Sequence, residues 1–308
     1  MPTQMRQDGV VNSWLRVIIA ALLGVALAST TFAGPWFFVG AVIVLVLCFA
    51  YGWPRLVDSP QPMATTVLLS ITGVAGVLTV GLSPDSPYLD WLPLVGGLGI
   101  LASFIQHLSR GVGASDAVLH VASQVAGVAI VLTSAAWLAV LRVPGHGEAL
   151  IVGLTALVLA LATTVIPWPA RYTSPLAIVL AAAGAAAAAG VIADTEVAIV
   201  LAAGLGAALG VLVAAVHRLL GMAVFVNFAS NKKKRLSVPP LNRAVAPAGP
   251  EEIPVPAAEK KVLAELTAES SATLSSRAAS AGVQLALGTT PIALSGVVVY
   301  AVERLFIG

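Results

Sequence analysis

Residues 197–220 read VAIVLAAGLGAALGVLVAAVHRLL, and the first charged side chain in that run is Arg218. A helix at the surface of a water-soluble protein is apolar along one stripe and polar on the other; one that is apolar all round is buried in a large core or in a membrane. About 20 such residues cross the hydrocarbon of a bilayer. The same reading extends outward along the chain. Val17 to Phe32, Trp36 to Gly52, Met63 to Leu82, Trp91 to Leu108, Ala117 to Leu141, Ala149 to Ile166, Pro175 to Ile192 and Ala281 to Val302 are further runs of this kind. Together they predict an all-α, polytopic transmembrane bundle of about nine spans.

Composition agrees. Of 308 residues, 58% are apolar and 10% charged, and mean hydropathy is +0.97. Soluble proteins average about 45–50% apolar and about 25% charged. The difference excludes an ordinary soluble domain, a disordered chain and a nucleic-acid-binding module. The single cysteine, Cys48, lies inside an apolar run and cannot form an intrachain disulfide.

Basic residues collect on the cytoplasmic side of membrane proteins. With the amino terminus inside and nine alternating spans, 14 of the 16 Lys and Arg fall on the cytoplasmic side, leaving only Arg142 and Arg304 outside. The outer loops carry Asp85, Asp90, Glu148, Asp194 and Glu196 instead. The expectation is a multi-pass protein of the plasma (inner) membrane with an extracytoplasmic carboxyl terminus. The Ala-rich, Lys-poor spans suggest a bacterial chain. Arg16, the apolar run after it and Ala26-Leu27-Ala28 also fit a signal peptide, whose removal would leave the later topology unchanged.

Residues 1–228 then form an eight-helix bundle, 229–280 a cytoplasmic linker and 281–308 a ninth helix kinked at Pro291, with a helix on the inner surface as the alternative. Lys232, Lys233, Lys234 and Arg235 make a basic cluster at a membrane exit, followed by Pro-rich sequence from Val238 to Pro256 and a helical pattern from Ala257 to Ser276. With Arg55 and Arg171, that cluster is expected to meet anionic lipid head groups.

Two motifs recur. Trp53-Pro54-Arg55 leading to Ser59-Pro60 matches Trp168-Pro169-Ala170-Arg171 leading to Ser174-Pro175, and His107 to Gly111 matches His217 to Gly221. They suggest parallel repeats over 1–112 and 113–222. Gly206 and Gly210 form a G-x-x-x-G on an Ala-rich background, a close-packing surface that serves either the fold or oligomerisation.

Polar residues inside a membrane are costly and mark function. The densest group is Gln106, His107 and Arg110 closing one span, with Asp116, His120 and Gln124 at i, i+4, i+8 on the next. His217 and Arg218 are their counterparts in the second half. The eight are read as a cytoplasmic vestibule binding substrate, cationic at its mouth and suited to a phosphate or carboxylate group. No P-loop, dinucleotide turn, G-x-S-x-G or H-E-x-x-H pattern occurs. No catalytic residue, metal site or cofactor is assigned, and His146 reads as part of a surface turn.

The favoured function is a permease-like protein binding or moving a small or lipid-like solute, with no ATPase domain in this chain. Its expected partners are membrane lipids, a second copy or a membrane-complex subunit, and not nucleic acid. One alternative is a non-transporting scaffold of an envelope or division complex that docks through Ala257 to Ser276. Another is an integral enzyme on a lipid-linked substrate, using Asp116 and His120 as acid and base.

Overall fold

The computed structural model describes residues 2–84, 88–109, 117–143, 147–166, 168–192, 196–236 and 280–306. Within them the chain is helical throughout: α1 (Pro2–Ala33), α2 (Pro35–Leu56), α3 (Pro62–Leu82), α4 (Leu92–Leu108), α5 (Ala117–Thr133), α6 (Ala136–Arg142), α7 (Gly147–Ala162) ending in a 3-10 turn (Thr163–Val165), α8 (Ala170–Ile192), α9 (Glu196–Leu236) and α10 (Ala281–Phe306). Eight helices are long and apolar enough to cross a membrane when α5 and α6 count as one; α4, at 17 residues, is shorter. The protein is an all-α polytopic membrane bundle. The expected linker 229–280 lies mostly outside the described residues, except that α9 continues through the basic cluster to Leu236.

Prolines start the hairpinned helices. Pro35 and Pro62 sit in the first turns of α2 and α3, where the missing N–H costs no intrahelical bond. Gly34, at φ 123, makes the reversal between α1 and α2, a backbone state open to glycine.

Small residues then set which helices touch. A Cβ on Gly52 of α2 would lie 2.6 Å from the Ala286 backbone nitrogen and 2.7 Å from the Gly282 carbonyl of α10. The Gly206–Gly210 pair is spent inside the chain: a Cβ on Gly210 would lie 2.6 Å from the Ile178 Cα of α8, and Gly206 faces Ala181 in the same way. Glycine lets these backbones approach closely.

α10 runs through the bundle and does not lie on its surface. It packs on α1, α2, α5, α6, α7 and α9. Gly282 meets Arg55 at one end and Val299 meets Gly153 toward the other. The run Ala117 to Leu141, expected as one helix, is broken at Ser134–Ala135, where the backbone bonds tighten to i→i−3 (Ser134 N–H to Val131 O, Ala135 N–H to Leu132 O). Side chains brace the break against α10, as Thr133 Oγ1 reaches the Ala293 carbonyl at 3.0 Å and Trp137 Nε1 donates to the Ile292 carbonyl at 2.8 Å.

The recurrent motifs occupy different local structures. Trp53 and Pro54 are buried within α2, and Trp53 Nε1 donates to the Ser123 carbonyl of α5 at 3.0 Å. Trp168 and Pro169 precede α8, with Trp168 60% exposed.

Candidate functional site

Gln124 projects from α5 into the bundle and is 2% exposed. Its Nε2 donates to Gln106 Oε1 on α4 at 2.7 Å, and Gln106 Nε2 reaches Gln61 Oε1 at the start of α3 at 3.4 Å. Three helices thus carry one chain of amides at a single end of the bundle. Gln124 Oε1 is buried with no hydrogen-bond partner among the described residues. A carbonyl oxygen removed from water without a donor costs about 1–3 kcal/mol. Gln61 is not singled out by the sequence because it stands in a loop-like Ser-Pro-Gln-Pro context; only the proximity of α3 to α4 brings it in.

The neighbouring candidates that are described make contacts within their own helices. His107 Nδ1 donates to the Ser103 carbonyl one turn back, at 2.9 Å. His120 is half-buried on α5, and its carbonyl accepts Ser123 Oγ. Arg110 and Asp116 lie outside the described residues, as do the Ala257–Ser276 helix and His146.

An apolar groove of about 790 Å³ runs between α3 and α4. Met63, Val67, Ile71, Leu98 and Ala102 line it, and Gln106 closes it at the amide end. Met63, Val67, Ile71 and Leu98 are exposed along it.

His217 and Arg218 occupy a different neighbourhood. α9 packs on α7, α8 and α10, whereas α4 packs on α3 and α5. His217 Nδ1 accepts from Arg16 Nη1 of α1 at 3.2 Å. The eight candidate residues therefore divide: Gln106 and Gln124 are joined directly, and His217 pairs with Arg16 in a separate group of helices.

The head-group candidates carry their own partners. Arg55 donates to the Tyr51 carbonyl, and its guanidinium lies 3.6 Å over the Tyr51 ring; Arg171 lies 4.7 Å over Tyr172. Aromatic rings beside arginine are characteristic of membrane interfaces. The side chains of Lys232 to Arg235 are outside the described residues.

Two residues at the opposite end add to the sequence reading. Arg142, one of the two exceptions to the charge bias, donates to the Val80 and Gly81 carbonyls at 2.6 and 3.2 Å. It caps the last turn of α3, where carbonyls lack intrahelical donors and a cation is favourable. Glu303, one residue beyond the expected end of its span, is 1% exposed.

Among the described residues no group of three or more His, Cys, Asp or Glu is placed to hold a metal ion. No protein-family model, curated protein or solved structure matches the chain.

Proposed function

We propose that this chain is a permease-like membrane protein that binds an amphiphilic, lipid-like solute at the α3–α4–α5 face. The observation that carries the reading is the junction at Gln106: one residue both closes an apolar groove and belongs to the part-buried amide chain. Such a site suits a ligand with a hydrocarbon tail and a neutral or zwitterionic polar end. The tail would lie along Met63 to Leu98, and the head would hydrogen-bond to Gln61, Gln106 and Gln124. The unpartnered Gln124 oxygen supports a ligand donor at this point. Burial of polar atoms in a mostly apolar cleft is how small-molecule sites fix orientation.

The test is mass spectrometry of amphiphiles retained by full-length protein extracted from its own membranes. Ala102→Trp fills the groove, and Gln106→Leu removes the polar junction. Both variants should lose the species that the unaltered protein retains. The same retained set in all three would defeat the proposal.

A further inference from the structure

We infer that Arg16 of α1 and His217 of α9 form an acid-labile fastening between their two helices. Neither residue belongs to α3, α4 or α5, so the fastening stands apart from the α3–α4 groove.

A guanidinium only donates hydrogen bonds. His217 Nδ1, 3.2 Å from Arg16 Nη1, is therefore the acceptor, and the neutral ring carries its proton on Nε2. A protonated imidazole carries an N–H on both nitrogens. Nδ1 would then turn a donor toward a donor, with positive charge on both partners. The bond exists while the ring is neutral and is lost as pH falls through the imidazole range, ordinarily about 6.5. His217 is exposed, so solvent protons reach it.

The surroundings of His217 bring it no carboxylate. Two small cavities touch it, and among the described residues no Asp or Glu lines either one. The 3-10 turn after α7 and the start of α8 face them with threonine and serine hydroxyls, and α10 with Leu287 and Pro291. The charged groups there are Arg16 and, on α9 itself, Arg218. Arg16 Nε is buried with no hydrogen-bond partner among the described residues.

α1 depends on this bond more than its neighbours do on theirs. Arg16 makes the only side-chain hydrogen bond from the described part of α1 to another helix; Ser29, Thr30 and Thr31 bond within α1. The rest of its attachment is apolar packing, with Ala20 and Leu27 buried while Ile18, Leu22 and Val25 are exposed. The Arg16 backbone lies against α10, where a Cβ on Gly288 would stand 3.0 Å from the Arg16 carbonyl oxygen. The side chain alone reaches on to α9. Protonation of one ring thus removes the directional link between α1 and α9 and leaves the apolar packing in place.

Hydrogen exchange of the full-length protein in neutral detergent tests this, read as protection factors corrected for intrinsic exchange at about pH 7.5 and about pH 5, either side of the imidazole range. Protection of the α1 amides from Leu15 to Ala20 should fall about tenfold at the lower pH, the loss of a charge-assisted hydrogen bond. His217→Gln keeps a neutral acceptor and should stay protected at both values. Arg16→Gln removes the facing cation and should abolish the pH response. His217→Lys fixes the positive charge and should show the low protection at both values. Equal protection of the unaltered protein at the two pH values, or the same acid-induced fall in His217→Gln, would overturn the inference.

Discussion

At Gln124 the contributions to stability and to the proposed binding can be told apart. It forms one hydrogen bond to Gln106 and leaves one oxygen unpartnered. Interhelical hydrogen bonds in membranes contribute about 0.6 kcal/mol on average, less than the cost of about 1–3 kcal/mol for an orphaned buried acceptor. Gln124→Leu should therefore melt at the same temperature as the unaltered protein or higher, while retaining less amphiphile. A melting point lowered by several degrees would mark Gln124 as structural. Trp137 is the opposite case. Its ring is fully buried and its indole N–H reaches across to the Ile292 carbonyl. Trp137→Phe keeps most of the ring, and thermal unfolding in detergent should register a loss of about 1 kcal/mol.

At the scale of elements, the small-residue crossings give the sharpest expectations. Gly210→Val would drive a branched side chain into the α8 backbone at Ile178 and Ala177. Overpacking of this kind costs about 1–3 kcal/mol, seen as earlier thermal unfolding. Because this face is already occupied by α8, the particle size in detergent should not change. Gly52→Val should act similarly at the α2–α10 crossing, where the obstructing atoms are again backbone.

The existence and approximate limits of the spans were legible in the sequence, since an uninterrupted apolar run of about 20 residues matches the thickness of bilayer hydrocarbon and few soluble folds hold one. Their neighbours were not. Lipid tails are as apolar as Leu, so spans facing lipid and spans facing protein share one composition, and no amphipathic stripe points inward. That is why Ala281 to Val302 read as an addition to the bundle when it stands among six other helices. The break at Ser134–Ala135 was hidden for a related reason: it carries neither Gly nor Pro, the usual punctuation. In the candidate site, Gln106 and Gln124 stood out as polar residues in apolar surroundings. Gln61 did not, because it sits near a span end where polar residues are ordinary.

For the molecule as a whole, sidedness is the quantity to measure. The amide chain and the Arg16–His217 pair share one end, while Arg142, Tyr88 and Glu303 belong to the other. The charge bias predicts that the first end faces the cytoplasm. In a Cys48→Ser background, a cysteine at Tyr172 should react with a membrane-impermeant thiol reagent only from the cytoplasmic face. A cysteine at Glu148 should react only from the other. Both residues are exposed, so the labels can reach them, and reversed accessibility would invert the assignment.

α1 and α9 also differ from the rest in length. At 32 and 41 residues they extend about 48 and about 61 Å, beyond the roughly 30 Å of hydrocarbon.

The position of α10 constrains the order in which the bundle can be completed. The six helices it touches all precede it in the chain, so each is synthesised before its shared neighbour exists. Until the ribosome has passed residue 293, Trp137 and Thr133 lack the carbonyls that they later engage. Insertion of α10 therefore joins helices that are already in the membrane, and contacts shared among six of them form only at that step.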